Sequence, residues 1–309
     1  MNKIKPLITS NIDRSWVTVG SFDGVHLGHQ ALVRELAARA HAAGEKAVVI
    51  TFSPNPAVFF KRAPLAYNLC SVEQREKLLI EQGVDQVITI EFDENIAALT
   101  AEQFMQQVKQ SLGITHLLVG SNFALGRGRG GDVPALQEIG KQIGYIVEIT
   151  PPVKVDGEVI SSSQIRGLLQ EGKLDLANLL LGRAYSLEGN VVHGEHRGNK
   201  LGFPTANLEI AGNRLLPAKG VYACRAKVEG MVYTAVTNIG VRPTFENPLP
   251  SPRVEPHLID LAKDLYGHYM ELELIEYLRP EKAFDSPQDL IAQVNRDIQK
   301  TRELIDHDR

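Results

Sequence analysis

The pattern of apolar and polar positions divides the chain into two halves with different periods. In the first half, short apolar runs alternate with stretches whose apolar residues recur every three or four positions. Strands are predicted over Trp16–Ser21, Lys46–Phe52, Gln86–Glu91, His116–Gly120 and Tyr145–Ile149. Ala31, Leu32, Leu36 and Ala40 recur at helical spacing after the first, and Phe104, Val108 and Leu112 form a stripe after the third. Ser71 with Gln74, and Thr100 with Gln103, have the form of capping boxes that start helices. Strands alternating with helices argue a parallel sheet covered on both faces, with ligands bound beyond the carboxyl ends of its strands.

After Leu179-Leu180-Leu181-Gly182 the helical period disappears. Tyr185, Leu187, Val191 and Val192 begin a series of strands that continues through Val221–Val228, Met231–Asn238, Val254–Ile259 and Met270–Leu278. Glu229-Gly230 reads as a hairpin turn. Strands without intervening helices suggest a small antiparallel barrel or sandwich. Ser286, with Pro287 at the first helical position, then opens a terminal helix whose stripe is Ile291, Val294 and Ile298. The domain boundary is expected near residue 183, giving domains 1–183 and 184–309.

Composition narrows the function classes. A chain of 309 residues exceeds a comfortable single core, which favours two domains. The net charge of −4 gives no global attraction to nucleic acid or an anionic membrane, so any phosphate binding must be local. Cys70 and Cys224 share no motif, as expected of free thiols in a reducing compartment. No signal-peptide core is evident in residues 1–13, and no apolar run approaches membrane-spanning length. A soluble cytoplasmic protein acting on small molecules, with no nucleic-acid or membrane partner, is the expectation.

The candidate chemistry begins at Gly20-Ser21-Phe22-Asp23-Gly24-Val25-His26-Leu27-Gly28-His29, between the first strand and the first helix. His26 and His29 stand three residues apart, on one face of the first helical turn. Free N–H groups and the positive end of the helix dipole favour anions there, and Gly20, Gly24 and Gly28 allow close approach to the backbone. Two imidazoles can stabilise charge developing on a phosphorus. Metal ligation would need a third ligand, and no Cys and no further His follows before His41. His-Leu-Gly-His resembles the signature of the nucleotidylyltransferase superfamily.

Further candidates lie downstream. Ser161, Ser162 and Ser163 at a helix start, followed by Arg166, combine hydroxyls, N–H groups and a guanidinium suited to one anion; plain capping is the simpler reading for a single serine. Asn122 is placed either to bond a ribose or phosphate or to serve a turn. Gly126-Arg127-Gly128-Arg129-Gly130-Gly131 reads as a mobile loop whose arginines could reach a phosphate. In the second half, Gly198-Asn199-Lys200-Leu201-Gly202-Phe203-Pro204-Thr205-Ala206-Asn207-Leu208 presents a hydroxyl and an amide side by side. These oxygens suit Mg²⁺, or the segment is a turn fixed by Pro204. Glu255, within an apolar strand pattern, is either a general base or a residue facing water.

Four segments of the first half, Gly20–His29, Thr51–Pro56, Gly120–Phe123 and Ile160–Arg166, occur in the order found in one family, and the match continues to almost the end of the chain. The sequence resembles the bacterial bifunctional riboflavin kinase/FMN adenylyltransferases. The resemblance implies an N-terminal nucleotidylyltransferase-type α/β domain and a C-terminal six-stranded antiparallel β-barrel with a terminal helix. It implies the substrates ATP, riboflavin and FMN, the product FAD, Mg²⁺ on Thr205 and Asn207, and handover of FAD or FMN to apo-flavoproteins. By the same resemblance Glu255 is the base for the ribityl hydroxyl, and His26, His29 and Arg166 serve adenylyl transfer. Gly20, Phe22, Asp23, Gly24, Gly28, Asn122 and Ser161 to Ser163 would contact nucleotide in the first site. Lys200, Gly202, Pro204, Asn238 and Arg242 would contact ligands in the second. Asn238–Phe245 resembles a mobile flap, and Asp264–Gly267 part of the flavin-side rim.

The chain departs from the family pattern at Ser53 and Asn55, where Asp and His are commoner, at Leu125, where an aromatic is usual, and at Asn199, where Arg is usual. Two alternatives follow: a riboflavin kinase with a weakened adenylyl site, and a flavin-nucleotide binding or regulatory protein without turnover.

Overall fold

The apolar runs of the first half pair as their alternation predicts. The computed structural model describes residue 8 and residues 11–193, 203–242, 251–261 and 263–306. The chain divides into two compact units, Met1–Ser162 and Ser163–Arg309. The first unit opens with β1 (Ser15–Val19), α1 (Leu27–Ala42), β2 (Lys46–Ser53), α2 (Pro56–Phe59), α3 (Val72–Ile80), β3 (Gln86–Glu91), α4 (Glu94–Ala98) and α5 (Ala101–Leu112). It continues with β4 (Ile114–Gly120), the short pair β5 (Ala124–Leu125) and β6 (Gly131–Asp132), α6 (Val133–Ile143), β7 (Ile146–Thr150), and a second short pair, β8 (Lys154–Val155) and β9 (Glu158–Val159).

Five strands form a parallel sheet in the order β3-β2-β1-β4-β7. β1 is central and buried at every position, which explains why it carries no charged residue and no polar–apolar alternation. Alternate residues feed two cores. Val17, Val19, Val48 and Ile50 pack with Phe104, Met105, Val108 and Leu136 on one face. Trp16, Ala47 and Val49 pack with Val33, Leu36 and Ala40 on the other. Each fully buried aliphatic side chain contributes about 1.5–3 kcal/mol over its exposed state. The capping box at Thr100 is complete: its hydroxyl accepts from Gln103 N at 3.2 Å and Gln103 Oε1 accepts from Thr100 N at 2.9 Å.

The second unit comprises α7, which spans the division (Ser162–Gln170), α8 (Leu174–Leu181), β10 (Tyr185–Val192), β11 (Asn207–Ile210), β12 (Gly220–Val228), β13 (Met231–Arg242), β14 (Ser251–Leu258), β15 (Tyr269–Arg279) and α9 (Pro287–Asp306). Its six strands run antiparallel in the order β11-β10-β15-β12-β13-β14. Ala206 N donates to Pro256 O at 2.9 Å, bringing the two edge strands together and nearly closing a barrel. Glu229 and Gly230 both take positive φ (50° and 77°), as a two-residue hairpin turn between twisted strands requires. Ile298 of α9 packs with Val221, Val236, Ile259 and Leu278 of the barrel.

Contacts within the chain divide it earlier than its strand grammar does. The division at 162/163 precedes the boundary expected near 183. Strand grammar starts only at Tyr185, but Asn178 of α8 donates to Leu274 O and accepts from Tyr185 N, and Ala218 N donates to Leu169 O. The helices of 163–181 thus pack with the barrel. In the Gly126–Gly131 segment, residues 127–129 form a 3-10 turn between β5 and β6, and Arg127 N donates to Leu99 O at 2.7 Å. A Cβ on Gly131 would lie 2.3 Å from Ala101 Cβ, so glycine permits this close seat on the start of α5. Among the described residues, no helix is long and apolar enough to cross a membrane.

Candidate active sites

β1 delivers the chain to the carboxyl edge of the sheet, and the segment that follows is held under backbone strain. Phe22, Gly24 and Val25 all adopt left-handed conformations, with φ of 45°, 79° and 40°. The penalty at the non-glycine positions is about 1–3 kcal/mol each. Burial of both side chains and a hydrogen bond from Val25 N to Phe22 O at 3.1 Å offset it. The turn delivers His26 to the N-cap of α1.

His26 Nδ1 accepts from His29 N at 3.3 Å, so the neutral His26 ring carries its proton on Nε2. The two imidazoles stack with centroids 3.7 Å apart and planes at 19°. A Cβ on Gly28 would lie 3.1 Å from His26 Cε1 and Nδ1, so Gly28 clears the space for that ring. His29 is half-buried, meets Phe22 edge-on at 5.2 Å, and its Nδ1 has no hydrogen-bond partner. Burial, and then the neighbouring His26, push its pKa well below the ordinary imidazole value. His29 is therefore neutral near pH 7 and offers a phosphate a hydrogen bond rather than a charge.

The other expected residues of this site have distinct surroundings. Asp23 is buried and turned inward, where Oδ1 accepts from Leu69 N at 2.8 Å; Gly24 N donates to Cys70 Sγ at 3.2 Å. Its carboxylate thus ties the turn to the 69–70 segment. Ser162 Oγ donates to Asp23 O at 2.8 Å, which joins the serine cluster to the histidine turn. Ser161 belongs to the same unit, whereas Ser163 and the buried Arg166 belong to the second. A Cβ on Gly20 would crowd the Phe22 ring at 3.1 Å. Asn122 is exposed and its carbonyl accepts from Arg129 at 3.3 Å. Asn55 caps α2 by accepting from Ala57 N at 3.0 Å.

One buried cation escaped the sequence reading. Arg75 donates to Ser21 O at 3.1 Å and to Phe52 O at 3.0 Å, joining the carboxyl ends of β1 and β2 beside the histidine turn. Its place one turn before Leu79, on the inward stripe of α3, was the available signal.

Among the described residues, two cavities lie against the barrel. One, of about 420 Å³, is lined by Thr205, Asn207, Asn238, Arg253 and Glu255 among others. The second, of about 460 Å³, is lined by His193, Pro204, Thr205, Lys263 and Tyr266 among others. Thr205 lines both. His257 Nδ1 meets Pro204 O at 2.8 Å, and with the Ala206–Pro256 bond this pins the Thr205 segment to β14, the strand that carries Glu255. Asn238 pairs with Glu255 across β13 and β14 and donates to Glu281 Oε1 at 3.0 Å. The expected flap therefore begins as ladder-paired strand through Arg242, whose side chain, like residues 243–245, lies outside the described set. Lys200 and Gly202 also lie outside it. Asp264, Leu265 and Tyr266, expected at the flavin-side rim, line the cavity without Glu255, where Tyr266 stacks on His193 at 3.6 Å.

Comparison with known proteins agrees with this two-site architecture. A family model described as FAD synthetase matches residues 8–164, and one described as riboflavin kinase matches residues 181–305. The bifunctional riboflavin kinase/FMN adenylyltransferase of Pseudomonas fluorescens is 37% identical over 93% of this chain and 92% of its own length. The enzyme of that name from Escherichia coli K12 is 37% identical over 94% and 92%, and that of Bacillus subtilis 35% over 95% and 93%. A solved structure described as a macrolide-efflux protein from Streptococcus pneumoniae superposes with a TM-score of 0.86 at 29% identity, covering 96% of this chain and 95% of its own. The parallel α/β unit with its histidine turn, the barrel with its paired cavities, and these relatives together place the chain in the bifunctional riboflavin kinase/FMN adenylyltransferase family.

Proposed function

We propose that the cavity lined by Glu255 receives riboflavin, that the cavity lined by Tyr266 and Lys263 receives the nucleotide, and that transfer occurs past Thr205. The observation that carries this reading is that Thr205 lines both cavities while Glu255 lines only one. Glu255 accepts the proton of the ribityl hydroxyl as its oxygen attacks the γ-phosphorus, and the work of the site is mostly positioning and charge stabilisation.

Thr205 and Asn207 fit Mg²⁺. Thr205 offers a neutral oxygen where the two cavities meet and Asn207 a second one in the first cavity, and this ion binds few protein oxygens and completes its shell with phosphate and water. When bound, Mg²⁺ neutralises phosphate charge. Lys200, Gly202, Pro204, Asn238 and Arg242 complete the ligand contacts in this reading.

In the first unit, His26 and His29 donate hydrogen bonds to the α-phosphate of ATP while the FMN phosphate displaces pyrophosphate; no protein nucleophile is needed. Gly20, Gly24 and Gly28 admit the nucleotide to the turn, Phe22 and Asp23 shape it from within, and Asn122, Ser161 and Ser162 contact phosphate or ribose. In this reading FMN and FAD pass to apo-flavoproteins in the cytoplasm.

Chromatography of riboflavin, FMN and FAD during turnover tests the assignment. A His26→Ala/His29→Ala variant should lose FAD formation and keep FMN formation. Glu255→Gln should lose riboflavin phosphorylation and still convert supplied FMN. Loss of both activities in a folded variant, or retained kinase turnover in Glu255→Gln, would refute the respective roles.

A further inference from the structure

Arg253 and Glu255 occupy alternate positions of β14 and so project from the same face of the barrel wall. Their side chains form an ion pair at 2.7 Å, and both line the 420 Å³ cavity together with Thr205 and Asn207. The two partners are unequally covered: 13% of the Glu255 side chain is exposed, against 35% for Arg253. Across the ladder Arg253 faces Gly240, which has no side chain to confine the guanidinium. The Glu281 carboxylate lies where a Gly240 Cβ would be, 2.7 Å from it, and is engaged by Asn238.

The other cations of the cavity are committed elsewhere. Arg279 makes a forked contact with the buried Asp297, at 2.8 and 3.0 Å to one carboxylate oxygen. Lys282 donates to Gln293 at 2.9 Å and lies 5.0 Å over the Phe284 ring. Arg253 is the cavity cation whose partner is the carboxylate read above as the base. A carboxylate held by a guanidinium is occupied, and a guanidinium fork matches phosphoryl oxygens as well as it matches a carboxylate.

We propose that Arg253 is a further catalytic residue of riboflavin phosphorylation: it clamps Glu255 before ATP arrives, then moves onto the oxygens of the transferring phosphoryl group and frees the carboxylate. The inference rests on Glu255 being the base. In the step itself a bond forms between the ribityl oxygen and the γ-phosphorus. The bond from that phosphorus to the bridging oxygen breaks, its electron pair leaves with ADP, and the hydroxyl proton passes to Glu255. Arg253 faces the negative charge spread over the equatorial oxygens, where a cation acts on the transition state more than on bound riboflavin. Arrival of the nucleotide thereby switches the base on.

Steady-state riboflavin phosphorylation by the full chain tests this with Arg253→Met beside Glu255→Gln, with riboflavin fluorescence reporting an intact barrel. Arg253→Met should lower kcat on the order of 10³-fold, as removal of an arginine that touches the transferring phosphoryl does, with the riboflavin KM changed by less than about threefold. Arg253→Lys should recover part of the loss. If Arg253→Met does not bind riboflavin, Arg253→Gln carries the same expectations. An unchanged or raised kcat in a variant that binds riboflavin, or a raised KM at unchanged kcat, would overturn the role of Arg253 while an inactive Glu255→Gln leaves the base in place. Turnover by Glu255→Gln would instead remove the base, and this inference with it.

Discussion

His26 and His29 stack face to face at 3.7 Å on the first turn of α1, and the N–H of His29 is the hydrogen-bond donor to the His26 ring. The arrangement couples the two side chains. His26 is oriented by the backbone of His29, and protonation of His29 is opposed by burial and by the neighbouring imidazole. A His29 ring that stays neutral can donate to phosphate without a compensating counter-ion, and the orientation of His26 is set before the substrate binds.

The depressed pKa of His29 has a thermodynamic consequence. Below the ordinary value of 6.5 the unfolded chain takes up a proton at this position that the folded chain refuses. Stability therefore falls as pH drops from about 6.5 toward the folded-state pKa, by up to about 1.4 kcal/mol per pH unit. Thermal unfolding of the wild type between pH 7.5 and 5.5 should decline more steeply than that of His29→Gln. Parallel curves would assign the acid sensitivity to other groups.

Gly28→Ala should separate activity from stability. The added methyl meets the His26 ring at 3.1 Å and must displace it by a few tenths of an ångström. Alanine in a helix gains up to about 1 kcal/mol over glycine, so net stability should move by less than that. FAD formation from FMN should nevertheless fall about tenfold, read by chromatography against a melting curve that moves by no more than about 4 °C. Full activity would mean that the orientation of His26 is not critical.

Asn207→Ala tests the magnesium assignment on the kinase side. Removing one of two neutral oxygens should raise the Mg²⁺ concentration for half-maximal riboflavin phosphorylation about tenfold. The Mg²⁺ dependence of FMN adenylylation by the same protein should not move. An unaltered kinase titration would exclude Asn207 as a ligand.

The terminal helix is anchored by charge as well as by apolar contact. Asp297 of α9 accepts three hydrogen bonds from Arg279 of β15, with side-chain exposures of 6% and 17%. Asp297→Ala leaves a buried guanidinium without its partner and should cost about 3–5 kcal/mol in denaturant unfolding. Replacing both residues by apolar ones of similar volume should return much of that loss. A single variant within 1 kcal/mol of wild type would show that water or Phe284 satisfies the arginine.

The local features of this protein were legible in its sequence because they depend on neighbours a few positions apart. Strand and helix periods, the hairpin at Glu229-Gly230, the capping box at Thr100 and the glycine spacing around His26 and His29 are set by backbone sterics and short-range hydrogen bonds. Charge and composition likewise pointed to local phosphate chemistry rather than a nucleic-acid partner. Packing alone decided what meets across the fold. It turned Asp23 inward to Leu69, buried Arg75 beneath two strand ends, and gave residues 163–181 to the barrel's unit. It also placed Thr205 between two cavities and set Arg253 against Glu255 within one of them. Such contacts depend on which strands lie side by side in the sheet and on which face of the barrel wall a side chain emerges. The first is a long-range choice that no window of the sequence contains. The second shifts with every one-residue change of register.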